Sequence, residues 1–216
     1  MGPPRLRMEE NARVPPRGVL GRSAPVTYST AEAWLGRPVV AHPSVDEAVL
    51  RYLAAFGPAT PADATAWSRL TGMREVFERL RPRLRVFRDE QARELFDVPD
   101  APFPDADTPA PPRFLPEYDN VLLSHADRSR IVEGRRRVPL PPGNGGVAGT
   151  LLVDGFWHAT WQIERDRSRR TAVLRVMPFG PLPAEHLDAV LREAQDLVSF
   201  AAADAEVQEV EIVDAG

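Results

Sequence analysis

Residues 60–84 read TPADATAWSRLTGMREVFERLRPRL, and this stretch decides the fold. Thr60 offers a hydroxyl to a helix N-terminus, and Pro61 follows at the first helical position, where its missing N–H costs nothing. Thr71-Gly72 is a turn signal, so this helix is expected to end near Leu70. Met73, Val76, Phe77 and Leu80 then recur at helical spacing, and Leu84 extends the same face. Pro82 terminates or kinks that next helix. Upstream, Ser44 caps an earlier helix, and Glu47 three residues later completes a capping box. Its apolar face comprises Val45, Ala48, Val49, Tyr52, Leu53 and Phe56, and Gly57-Pro58 stops it. Downstream, 84–88 and 94–98 read as short strands joined by the polar turn 89–93. Three helices with a tight turn between the second and third, then a hairpin, follow the order of a winged helix-turn-helix. On this reading 73–81 is the recognition helix and the hairpin is the wing.

The flanking sequence divides around this winged helix, which spans 44–98. Residues 1–43 form an arm rich in Pro, Gly and Arg, with a short strand near 26–28 and a short helix capped by Thr30 and ended by Gly36. Residues 99–113 are an extended proline-rich linker. Residues 114–216 read as a second, β-rich module. An apolar strand lies within 114–124, and 126–132 form a turn of helix. Asp154-Gly155 between 150–153 and 156–165 is a type I′ hairpin signal. A strand at 171–177, a long helix over 184–203 and a last strand at 207–213 complete it. That helix turns Leu187, Val190, Leu191, Ala194, Val198 and Ala201 inward. The fold class is α+β: a winged helix-turn-helix followed by a small β-barrel-like α+β module, its curled sheet closed on one face by the helix.

Composition bounds what this chain does. Its 216 residues suit one large domain or two small ones. Apolar residues at 43% and charged residues at 27% exclude a largely disordered chain. Cysteine is absent, which excludes disulfides, thiolate zinc sites and cysteine nucleophiles and fits a reducing cytoplasm. No apolar run approaches the ~20 residues of a membrane helix, and the first residues lack the apolar core of a secretory signal. The net charge of −4 argues against a generally basic coat, yet lysine is absent and all 27 basic residues are arginine. Arginine grips phosphate through a planar fork, although genome base composition also favours its codons.

The arginines cluster. From Trp67 to Arg93 there are eight arginines against four acids, a local sign opposite to that of the whole chain. Candidate DNA contacts on the third helix and wing are Arg74, Arg79, Arg81, Arg83, Arg85, Arg88 and Arg93. In the second module Arg128, Arg130, Arg135, Arg136 and Arg137 join them, with a further group at Arg165, Arg167, Arg169 and Arg170. Phosphate contact is one use of such sites. A solvated surface laced by pairs such as Glu75–Arg79 is the other.

Catalytic and ligand motifs are weak. His42, His125, His158 and His186 are widely separated and lack metal-ligand spacing. Ser124-His125 with Asp127 has the residue types of a hydrolytic triad, but no nucleophile elbow surrounds it. Gly143-Asn144-Gly145-Gly146-Val147-Ala148 matches G-x-G-x-x-A. It follows Pro141-Pro142 rather than a strand and precedes strands rather than a helix, so it reads as a loop. A backbone approach to DNA phosphate is the alternative. No metal, no small-molecule cofactor and no membrane partner is expected; the partner these patterns favour is duplex DNA.

The residues also carry a resemblance. Arg51-Tyr52-Leu53-Ala54-Ala55-Phe56-Gly57-Pro58-Ala59-Thr60, then Leu80-Arg81-Pro82-Arg83-Leu84, and above all the run from Phe114-Leu115-Pro116-Glu117-Tyr118-Asp119-Asn120 through Ser124-His125-Ala126-Asp127-Arg128-Ser129-Arg130 are similar to actinobacterial winged-helix DNA-binding proteins. These belong to the superfamily of AlkZ/YcaQ-type DNA glycosylases. Gly145-Gly146 before Gly149-Thr150, and Val153-Asp154-Gly155, fit the same pattern, which runs from about residue 14 to 200. The resemblance implies tandem winged helices and a barrel-like element forming a concave DNA-binding surface. It also implies excision of alkylated or crosslinked bases by a Gln-apolar-Gln or Gln-apolar-Asp motif in an N-terminal half. The resemblance begins mid-family, as in a natural short form or a gene model that starts late. Gln162-Ile163-Glu164 is the nearest local match, on a predicted strand of the wrong module. The expected function is therefore DNA binding without catalysis by this chain alone. A glycosylase, and a module whose winged helix packs against protein, are the alternatives.

Overall fold

The computed structural model describes residues 11–13, 28–134, 148–166 and 168–213. The chain forms two compact units, 1–48 and 49–216. In the first, β1 (Asn11–Arg13) pairs antiparallel with β2 (Tyr28–Thr30), Asn11 opposite Thr30. Thr30 accepts a hydrogen bond from the Ala33 N–H and so caps α1 (Ala31–Leu35), which Gly36 ends in the left-handed region at φ 63°. Within the expected strand at 26–28, residues 26 and 27 lie outside the described residues, and β2 occupies 28–30.

Helix α2 (Val45–Phe56) starts at the end of the first unit, where the Ser44 hydroxyl accepts from the Glu47 N–H at 3.4 Å. Its apolar face buries Val49, Tyr52 and Leu53, whereas Val45 and Ala48, expected on that face, are exposed in the first turn. Helix α3 (Pro61–Ser68) is closed at its start by a full capping box: the Thr60 hydroxyl accepts from the Asp63 N–H, and the Asp63 carboxylate accepts from the Thr60 N–H. It ends two residues before the expected stop. Ser68 donates its hydroxyl to the Ala64 carbonyl at 2.7 Å and accepts from the Leu70 N–H, drawing the backbone out of the helix. Arg69 then takes a left-handed φ of 61°.

Helix α4 (Met73–Leu80) buries Met73, Val76, Phe77 and Leu80, the four positions its spacing marks. Pro82 converts its end into a short 3₁₀ turn, Arg81–Arg83. Strands β3 (Arg85–Arg88) and β4 (Glu94–Asp97) form an antiparallel hairpin. Phe96 leaves β4 to meet Phe77 edge-on, 5.3 Å between ring centroids, and the backbones of Ala59 and Phe96 exchange two hydrogen bonds. The hairpin is thereby fixed to the three helices.

After the proline-rich stretch comes β5 (Arg113–Leu115), shorter than the apolar run suggested. Val121, Leu122 and Leu123 lie instead in a helical turn, α5 (Asn120–Leu123). Asp119 caps that turn by accepting from the Val121 N–H at 2.8 Å, which is why an apolar run here is not a strand. Strands β6 (Gly149–Val153), β7 (Phe156–Asp166) and β8 (Thr171–Pro178) continue the sheet antiparallel. The β6–β7 turn is Asp154-Gly155, with φ values of 50° and 77°, the left-handed pair a type I′ turn demands. A 3₁₀ turn (Ala184–His186) leads into α6 (Leu187–Ala201), and β9 (Val207–Ile212) then pairs parallel to β8. The sheet order is β5-β6-β7-β8-β9, so the expected barrel-like module has two edges, β5 and β9. Helix α6 covers one face, packing Val190, Ala194 and Val198 on Leu151, Val153, Leu174 and Val176. Leu187 and Leu191, expected inward, are each 38% exposed, because the covering face is narrower than the apolar stripe.

Candidate nucleic-acid interface

The predicted arginines fall into two groups. On α4 and the hairpin, burial of Met73, Val76, Phe77 and Leu80 forces Arg74 and Arg79 to the exposed side of the helix. Arg83 is exposed in the 3₁₀ turn, and Arg85 and Arg88 are exposed on β3. Arg74 and Arg83 form no ion pair among the described residues. Arg88 has a long contact to Glu94 at 3.8 Å and is 72% exposed. The Arg85 guanidinium lies 5.0 Å from the ring centroids of both Phe87 and Phe103.

Arg81 is different. It donates to Glu78 at 2.8 Å and to Glu94 at 2.7 Å, and it lies over the Phe96 ring. These carboxylates raise its already high pKa further. Its fork is spent on fastening α4 to β4. Arg93 is likewise held, by Asp89 at 2.6 Å and Asp127 at 2.7 Å.

The second group belongs to the segment 119–132, which is stitched to the helices on one side and the sheet on the other. The Tyr52 hydroxyl donates to the Ser124 carbonyl at 2.7 Å. Burial and the nearby Asp63 push the Tyr52 phenol well above its ordinary range. Asp63, besides capping α3, accepts from the Ala126 N–H at 2.9 Å. Burial opposes its charge, but the hydrogen bonds from Thr60, Ala126 and Asp127 win, and its pKa falls below the usual carboxylate range. Arg128 donates through Nε to the Leu122 carbonyl at 2.6 Å, and Arg130 through Nη2 to the Pro58 carbonyl at 2.8 Å. On the sheet side the Trp157 N–H donates to the Ile131 carbonyl, and Leu122, Val132 and Trp157 bury together. Two open cavities of about 190 Å³ flank the segment, one beside Phe56, Val121 and Ile131, the other beside Asp63, Gln91 and Ser129. Arg135, Arg136 and Arg137, and the Gly143–Ala148 motif apart from Ala148, lie outside the described residues.

The triad-like residues come together only in part. Ser124 Oγ lies 2.9 Å from His125 Nδ1. Asp127 turns away to Arg93 and Ser129, whose hydrogen bonds hold its pKa at about 2. Burial, then the Arg130 charge, lower the His125 pKa, and its Nε2 is buried without a hydrogen bond. With Ser124 only 2% exposed and no carboxylate on the imidazole, this is a packing arrangement rather than a nucleophile and base. Gln162 and Glu164 project from β7 bonded to each other at 3.3 Å, and Glu164 also pairs with Arg175. Among the described residues, no three His, Asp or Glu side chains are placed to hold a metal ion. No described helix is long and apolar enough to cross a membrane.

Sequence reasoning singled out neither Tyr52 nor Asp63 as a tie to the 119–132 segment. The T-x-x-D spacing marks Asp63 as a cap; nothing local marks its second set of partners, 63 and 64 residues away.

A helical unit with a hairpin, joined through such a segment to a five-stranded sheet, sets this chain among mixed α+β proteins, and comparison identifies the family. Residues 6–200 match the family described as DNA glycosylase AlkZ-like, and the chain belongs to it. Membership relates the chain to a family of DNA-repair glycosylases. Among solved structures it is similar to the Streptomyces sahachiroi DNA glycosylase AlkZ, with a TM-score of 0.63 and 21% identity over 87% of this chain and 52% of that one. The likeness is one of fold, and the chain spans about half the length of that enzyme. No curated protein sequence matches.

Proposed function

We propose that this chain is a DNA-binding member of the AlkZ-like family, and that α2–α4 with the β3–β4 hairpin act as a winged helix against duplex phosphates. The observation that carries this reading is the exposed set Arg74, Arg83, Arg85 and Arg88, none of which donates a hydrogen bond to a carboxylate among the described residues and of which only Arg88 has an ion pair, a long one to Glu94 at 3.8 Å, while Arg81 and Arg93 are each bonded to two carboxylates within the fold. Arg79 shares the exposed side of α4 but has a partner and does not belong to that set. Forks left available in this way suit bidentate contact to phosphate oxygens. Binding is then largely independent of sequence, with a Kd of ~10⁻⁴–10⁻⁶ M at physiological salt. Duplex DNA is the partner, and the cytoplasm is where such a chain meets it.

On this reading the chain does not excise bases by itself. Its nearest Gln-apolar-acid sequence is Gln162-Ile163-Glu164, whose polar side chains are already bonded to each other and to Arg175 on the sheet. Release of 7-methylguanine from alkylated duplex by the purified chain, above a buffer control, overturns this part.

Fluorescence anisotropy across a salt series tests the interface. Replacing Arg74, Arg83 and Arg88 together with Ala should weaken binding to all duplex sequences alike. It should also flatten the log–log salt slope by about 2–3, since each neutralised phosphate contributes ~0.9. Unchanged affinity and slope would instead favour a module whose helix and hairpin bind protein.

A further inference from the structure

Phe103 is a large apolar side chain that joins none of the three buried clusters. It is 49% exposed, and its aromatic neighbour is Phe87 on the hairpin, 5.4 Å away between ring centroids. It sits in the sequence Pro102-Phe103-Pro104. Pro104 restricts the backbone of Phe103 to extended conformations and Pro102 fixes its own φ, so the ring is carried on a stiff mount. The Arg85 guanidinium lies 5.0 Å from each of the two ring centroids. The nearby Asp97 carboxylate is buried and accepts from the Val98 N–H, so Arg85 is held mainly by π faces. Exposed Arg83 and Arg88 lie on the same hairpin and its approach.

A half-exposed aromatic ring on a rigid support, next to a hairpin that carries exposed arginines, is the pairing by which proteins hold unstacked bases: the ring takes the base and cations along the strand take the flanking phosphates. A fully paired duplex keeps its bases stacked inside and offers the ring nothing. Asp105 and Asp107, which follow in the same stretch, offer phosphate no cation, which leaves the phosphates to the hairpin arginines. We infer that Phe103, with Phe87 and Arg85, forms a stacking platform for an unpaired nucleobase, so that the chain prefers DNA in which a base has left the helix. This inference rests on the hairpin being a DNA-contacting surface.

The test uses the full chain and two duplexes of one sequence, one fully paired and one carrying a single bulged 2-aminopurine. Anisotropy gives the affinities, and 2-aminopurine emission reports stacking. The unmodified chain should bind the bulged duplex about tenfold more tightly and quench its emission, as expected for one base–aromatic stack. Phe103→Ala should abolish both the preference and the quenching, with any change in affinity for the paired duplex, through Arg85, smaller than the loss for the bulged one. Phe103→Trp should preserve both. Equal affinity of the unmodified chain for the two duplexes, or a preference that survives in Phe103→Ala, overturns the platform and leaves the arginine surface standing. Binding to neither duplex overturns the arginine surface, and the platform with it.

Discussion

The arginines from α4 through β3 and those of the 119–132 segment are alike in sequence and differ in their internal partners. Arg74 and Arg83 are exposed, whereas Arg128, half-buried, and Arg130, itself exposed, each spend one hydrogen bond on a carbonyl, of Leu122 and Pro58 respectively. Arg81 and Arg93 show that the division does not follow the elements, since each lies among the helix and hairpin arginines yet is held by two carboxylates. What decides a residue's capacity for phosphate is its inventory of internal partners, and counting arginines along the chain overstates it. Removing a held arginine should therefore act on stability, and removing a presented one should act on the salt dependence of DNA binding.

The hardest way to break the held region goes through Asp63. Asp63→Ala removes the acceptor for the Thr60, Ala126 and Asp127 N–H groups at a site 4% exposed. Leaving those donors without a partner should cost about 2–4 kcal/mol, read from urea denaturation. The same carboxylate gives a pH signature. Its pKa is lower in the folded chain than in the unfolded chain, so its contribution is complete above the ordinary carboxylate pKa and is lost as pH falls through the folded value. Asp63→Ala should flatten the acid limb of the stability profile.

His125 gives a smaller effect with a related sign. Burial, with Arg130, depresses its pKa, so the folded chain resists protonation more than the unfolded chain does. Stability from this source is intact above about 6.5, the ordinary histidine value, and falls as pH drops below it. Comparison of thermal midpoints at neutral and mildly acidic pH, with and without His125→Asn, isolates it: the variant should lose less on acidification. Arg128→Ala should cost about 0.5–1.5 kcal/mol through the lost bond to the Leu122 carbonyl and leave the salt slope of DNA binding unchanged. At the bottom of the scale, Arg83→Ala should change stability by under about 0.5 kcal/mol while reducing the salt slope by about 0.9. A slope that drops for Arg128→Ala and not for Arg83→Ala reverses the assignment of the two groups.

What the sequence made legible was local. The Thr60 cap, the α4 face and the Asp154-Gly155 turn depend on residues within a few positions of each other, and all lie where their spacing places them. The α5 turn was missed because Asp119 at its cap outweighs the apolar character of Val121-Leu122-Leu123. The exposure of Leu187 and Leu191 depends on how much of α6 the sheet covers, which periodicity cannot state. Among the candidate contacts the arginine cluster was visible, but the division between bonded and unbonded side chains was not. Arg93 meets Asp127 across 34 positions and Arg130 meets Pro58 across 72.

Those long-range ties also bear on the connection at 99–112. Tyr52 is bonded to Ser124, and Asp63 to Ala126, so the chain between them is a closed loop whose ends are fixed by hydrogen bonds. The entropy of closing such a loop grows only with the logarithm of its length, about 0.6 kcal/mol for each doubling. Extra residues inserted near the Asp105–Thr108 turn, well within that closed path, would therefore add little to the cost of folding. This part of the chain can change in length over evolution while the stitching on either side of it stays fixed.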